Sequence, residues 1–149
     1  MLGVLVGGCS KSNEQVSRDT PKKTLSGIFE HKEEDNPANY QSLDFRTDGT
    51  LIYKWKATGR MNGSTDIRTT IDANGKGNYT IDGDKVTADI VFISSITHSS
   101  SLLTKTTTLD PERNQRVFRL DGNDLISLLV VVAGEKTNTD NDARWKKSL

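Results

Sequence analysis

Apolar and polar side chains alternate one for one through much of the chain beyond residue 25, and Asp-Gly pairs interrupt the alternation at intervals. A period of two lays every second residue on the same face of a β-strand, whereas a helix needs apolar residues three and four apart. In Leu51-Ile52-Tyr53-Lys54-Trp55-Lys56-Ala57 the odd positions form one apolar face, and Lys54 and Lys56 lie on the other. Val86, Ala88, Ile90 and Phe92 repeat the pattern against Thr87 and Asp89. Leu43 with Phe45, Tyr79 with Ile81, and Phe118 with Leu120 carry it in shorter runs.

Asp48-Gly49, Asp82-Gly83 and Asp121-Gly122 each separate two such runs. Glycine tolerates the positive φ of a tight hairpin turn, so three Asp-Gly hairpins predict an antiparallel meander. Strands are expected near 27–31, 40–46, 50–57, 65–72, 76–81, 85–93, 102–109, 115–120, 125–133 and 143–147. Asp72-Ala73-Asn74-Gly75-Lys76-Gly77 reads as a turn between two of them. It imitates the start of a calcium loop, but Lys76 stands where an oxygen ligand is needed and Gly83 where the closing glutamate belongs. Helical periodicity is lacking; a single turn after Asp110-Pro111 is the most the sequence suggests, because proline suits the first helical position. The predicted fold class is all-β, an antiparallel up-and-down β-barrel of about 8–10 strands, because closure removes the sticky edges of an open sheet. Its candidate inward set is Phe29, Leu43, Phe45, Leu51, Tyr53, Trp55, Tyr79, Ile81, Val86, Ile90, Phe92, Phe118 and Leu120.

A length of 149 residues suits one domain, and 20 basic side chains balance 20 acidic ones. The basic residues alternate with acids instead of clustering with aromatics, which excludes a nucleic-acid partner. The longest apolar stretch, from Leu125 to Ala133, is far shorter than the roughly 20 residues of a membrane-spanning helix. It is apolar on both faces, so the row holding Leu129 and Val131 is expected to lie beneath a covering element or to form a partner surface.

Cys9 is the single cysteine, so no disulfide can form within the chain. The apolar run Met1-Leu2-Gly3-Val4-Leu5-Val6-Gly7-Gly8 that precedes it resembles the end of a secretory signal. Val6-Gly7-Gly8-Cys9 is similar to a bacterial lipobox, in which a peptidase cuts before the cysteine and a diacylglycerol is attached to its sulfur. On this reading residues 1–8 are the remnant of a truncated signal whose true start lies upstream, and Cys9 is the lipidation site. Residues 9–24 form a polar tether that cannot bury enough surface to order itself. Residues 25–149 form the barrel. No aspartate directly follows the cysteine, which by the same resemblance favours the outer membrane.

Catalytic and metal chemistry find little support. Two histidines, His31 and His98, are too few for a His-rich metal site, and no zinc-binding spacing occurs. His31 precedes the charged run Lys32-Glu33-Glu34-Asp35, which reads as a solvated loop. His98 lies among serines, but the nucleophile elbow is missing and no carboxylate is placed to orient the imidazole. The expectation is a protein that is not an enzyme and uses no metal and no cofactor.

Gly27-Ile28-Phe29, the Leu43-x-Phe45-x-x-Asp48-Gly49-Thr50 hairpin, Gly77-Asn78-Tyr79-Thr80-Ile81-Asp82-Gly83-Asp84-Lys85-Val86 and the basic-aromatic Arg144-Trp145-Lys146 together resemble the small bacterial lipocalin-like lipoproteins. The likeness spans roughly residues 25–147, with Phe29 where the wider lipocalin group carries a tryptophan. It implies a lipid-anchored envelope protein that binds a small apolar or amphipathic ligand in the barrel or at its mouth. Tyr53, Trp55, Tyr79, Phe92 and Phe118 are the candidate ligand-binding residues, since rings supply apolar area and, in tyrosine and tryptophan, a polar tip. An eight-stranded barrel is also narrow enough to be filled by its own side chains. The alternative is therefore an interaction protein, such as a periplasmic inhibitor or assembly factor, whose solid barrel offers its outer face or loops to an envelope protein partner.

Overall fold

The computed structural model describes residues 23–60, 66–132, 134–137 and 142–149. The expected signal remnant, Cys9 and the tether as far as residue 22 lie outside the described residues. Among the described residues ten strands follow in chain order: β1 (Gly27–Lys32), β2 (Tyr40–Phe45), β3 (Thr50–Arg60), β4 (Arg68–Asp82), β5 (Lys85–Ser99), β6 (Thr104–Thr108), β7 (Glu112–Asp121), β8 (Asp124–Val132), β9 (Glu135–Thr137) and β10 (Arg144–Lys147). Eight close into an antiparallel up-and-down barrel in the order β1-β2-β3-β4-β5-β7-β8-β10, with β10 pairing both β8 and β1. β6 continues the β7 side along the far half of β5, and β9 pairs the end of β8.

The three Asp-Gly turns join β2 to β3, β4 to β5 and β7 to β8, with φ of 88°, 63° and 62° at Gly49, Gly83 and Gly122. Near the last of these turns Arg144 bridges Asp121 at 2.7 Å and Asp124 at 3.1 Å, tying β10 to the β7–β8 hairpin. The guanidinium and the Lys147 N–H hold the Asp124 carboxyl below its ordinary value, and the two carboxylates raise Arg144.

Two expectations are corrected. Asp72-Ala73-Asn74-Gly75-Lys76-Gly77 is not a turn but the middle of β4, paired without a break to β3 and β5. Gly75 faces inward between Tyr53 and Phe92, and Gly77 between Leu51 and Ile90. A Cβ on Gly75 would lie 2.6 Å from the Val91 carbonyl oxygen, so these glycines mark close backbone approach, the other common role of glycine in a strand. No helical turn follows Asp110-Pro111; β7 begins at Glu112. Pro111 falls where the partner of β5 changes from β6 to β7, a break in the ladder at which a missing N–H is tolerated. The short polar strand β9 carries no apolar alternation and was not foreseen.

β3, β4 and β5 outrun their barrel neighbours. Beyond Ala73 they form, with β6, a four-stranded sheet in which Thr58, Thr70, Thr97 and Thr106 stand in one row. The β3 edge of this extension is capped by the β1–β2 loop, where the Asn39 Oδ1 accepts the Thr58 N–H at 2.7 Å.

Candidate functional site

The residues proposed from sequence for ligand binding lie on the inward face of the barrel, and their rings pack into its core. Tyr53, Tyr79, Phe92 and Phe118 are buried in the core, and Trp55 is half-buried against it. Tyr53 meets Phe92 edge-on across Gly75 at 5.6 Å, and Phe45 stands edge-on to both Tyr79 and Phe29. Phe118 contacts Trp145 at 5.5 Å. The structure thus joins Tyr53 to Phe92 and Phe118 to Trp145, while Tyr79 lies in the ring group around Phe45.

The hydroxyl of Tyr79 is already engaged. It accepts the Leu25 N–H at 3.0 Å and lies 2.7 Å from the carbonyl oxygens of Leu25 and Arg46, to one of which it donates. This clamp holds the chain's entry into β1 against the β2–β3 turn. Tyr79→Phe is expected to lower stability by about 1–3 kcal/mol, because it strips a part-buried N–H of its acceptor. Chemical denaturation checks this, and an unchanged midpoint would refute the clamp.

Sequence reasoning missed the charge in the core. Arg116 is buried, its guanidinium 5.1 Å from the Tyr53 ring centroid and 5.6 Å from that of Trp145. Its Nη2 donates to the Tyr53 hydroxyl at 3.3 Å, which in turn donates to Gln41 Oε1 at 3.1 Å. The aromatic faces attract the cation. The signal was present: counting back by twos from Phe118 puts Arg116 and Asn114 on the inward face, but a charged residue is discounted when a core is listed by hydrophobicity.

The two histidines make contacts between neighbouring elements. His31 Nδ1 lies 3.1 Å from the Arg144 carbonyl oxygen and its ring rests on Trp145, while His98 Nδ1 meets Thr69 Oγ1 at 3.0 Å. Among the described residues no group of three or more His, Cys, Asp or Glu could hold a metal ion, and no helix is long and apolar enough to cross a membrane.

A concavity lies outside the barrel. A groove of about 1320 Å³ runs over the outer face of β3, β4, β5 and β7, from the β2–β3 turn to Pro111. Ile52, Lys76, Val91 and Arg113 cross it in register on four adjacent strands. Val91 and Ile93 are exposed and form its apolar floor with half-buried Ile52; Arg46, Lys76 and Arg113 supply cations. Its acids are engaged locally. The Asp48 carboxylate accepts the N–H and hydroxyl of Thr50, which holds its carboxyl below the ordinary value, and Asp89 accepts Gln115 Nε2 at 2.8 Å. Lys76 and Arg113 form no ion pair among the described residues. Of the five expected ligand-binding residues only Phe92 reaches this groove. Comparison with protein-family models, curated proteins and solved structures finds no match.

Proposed function

We propose that this chain is a non-catalytic binding module, held at the bacterial envelope by a lipid on Cys9 and most at home on the outer membrane. Its filled barrel serves as scaffold, and its outer groove receives an extended segment of another envelope protein. The observation that carries this reading is the division of labour between the two faces of the sheet. The inward rings are spent on packing, while the outward row Ile52-Lys76-Val91-Arg113 lines an open groove.

The volume favours a polypeptide over a small molecule. Small-molecule clefts hold about 300–1,000 Å³ and enclose most of their ligand, whereas this groove is larger and open along its length. Apolar side chains of the partner would cover Ile52, Val91 and Ile93, and acidic ones would meet Lys76 and Arg113, which form no ion pair among the described residues. A small apolar ligand in the barrel, implied by the lipocalin-like resemblance, would have to displace Tyr53, Phe92 or Phe118 from the core.

Affinity capture from envelope extract tests the assignment. The wild type and a Leu129→Lys, Val131→Lys variant on β8 are expected to capture the same partner, and a Lys76→Glu, Arg113→Glu variant is expected to lose it by at least roughly tenfold. Capture that survives the groove variant, or that vanishes only with Trp55→Ala at the inward face, would overturn the groove as the recognition surface.

A further inference from the structure

The β5–β6 hairpin ends far from the barrel on Leu102 and Leu103, which are 94% and 69% exposed. The turn that presents them is built and not frayed. Ser100 Oγ lies 3.3 Å from the Leu102 N–H and 3.1 Å from that of Leu103, and the Ser100 N–H donates to the Leu103 carbonyl at 2.8 Å. Two large apolar side chains are thus held outward by their own turn.

The charge behind them is cationic. On one face of the sheet extension the row nearest the tip is Arg60, Arg68, Ser99 and Thr104; on the other face it is Gly59, Thr69, His98 and Lys105. Arg60, Arg68 and Lys105 are exposed and form no ion pair among the described residues. Asp66 is the carboxylate nearest to Arg60 and Arg68 in sequence, Asp110 the one nearest to Lys105, and the acidic β1–β2 loop meets β3 at Thr58, one row closer to the barrel.

We propose that this tip docks on an anionic lipid bilayer, with Leu102 and Leu103 entering the headgroup region and Arg60, Arg68 and Lys105 pairing with lipid phosphates. A tip of two leucines and three cations is small beside the roughly 20–30 residues that a stable protein interface takes from each partner. A fluid bilayer needs no complementary shape, and it rewards apolar side chains and cations together. The threonine rows behind the tip limit entry to the turn. The contact stands apart from the groove.

Vesicle co-sedimentation of the full chain carrying Cys9→Ser, so that no acyl group supplies affinity, tests the proposal. Binding is expected to vesicles containing phosphatidylglycerol and to be weak with phosphatidylcholine alone. A Leu102→Ser, Leu103→Ser variant is expected to bind roughly tenfold more weakly or worse. Arg68→Gln or Lys105→Gln alone should each weaken binding about fivefold, with the effect shrinking at high salt. All of these side chains are exposed, so an unchanged circular dichroism spectrum is expected to accompany the loss. The leucine variant keeps the apolar N-terminal run, which controls for any contribution from that segment. Wild type that stays in the supernatant with anionic vesicles, equal binding to both vesicle types, or a leucine variant that binds like wild type would each overturn the proposal.

Discussion

Trp145→Ala is expected to destabilise the fold by about 3–5 kcal/mol, the range for removing a large buried ring. A domain of this size is stable by only about 5–15 kcal/mol, so the variant should approach the unfolding threshold at physiological temperature. The reason lies in how the barrel closes. β10 is four residues long and joins β1 through Phe29↔Lys147 and Glu30↔Lys146, and β8 through Arg144↔Ile126 and Trp145↔Leu125. So short a ladder cannot hold the seam alone. The fully buried Trp145 ring locks it by packing against Phe118 and His31 and under the Arg116 guanidinium. Its Nε1 makes no hydrogen bond among the described residues, so Trp145→Phe loses volume without orphaning an acceptor and should be far milder. Denaturant titration reads both. An alanine variant within about 1 kcal/mol of wild type would show that the Arg144 bridges, not the ring, close the barrel.

Gly77→Ala is expected to cost about 3 kcal/mol, although it adds a single methyl group. The new Cβ would overlap the Asp89 carbonyl oxygen and come within 3.0 Å of the Ile90 Cα, both backbone atoms of β5. No rotamer relieves a clash with backbone, so β4 and β5 must separate where the core row Leu51-Gly77-Ile90 depends on their closeness. Gly59→Ala is the matched control. Nothing lies within 4 Å of a Cβ there, so the change is expected to stay within about 0.5 kcal/mol. Faster amide exchange along Asn78↔Asp89 in the Gly77 variant would locate the damage; equal stability of the two variants would contradict the close approach.

Gly77 also shows where reading the sequence reached its limit. A glycine pair with Asp and Asn looks the same whether the chain turns or passes close to its neighbour, because both uses follow from the missing Cβ. Only the partner strand distinguishes them. The five rings named for ligand binding were placed on the correct face by alternation, yet alternation does not measure how much room that face encloses. Arg116 and Trp145 occupy part of that room, and they come from β7 and β10, which are remote in sequence from Tyr53 on β3. The outer groove was equally hidden: Ile52, Val91 and Ile93 are isolated apolar residues on polar faces until register brings their strands side by side.

What the sequence determined by itself was local. It set which residues are strands, which face of each is apolar and where Asp-Gly reverses the chain, because backbone sterics and the two-residue pleat act within one segment. Tertiary structure decided that the inward rings pack against one another, that a groove lies on the outer face, and that three strands outrun the barrel to carry Leu102 and Leu103 beyond it. Those properties depend on register and volume shared between segments far apart in the chain, and no single strand's pattern encodes them.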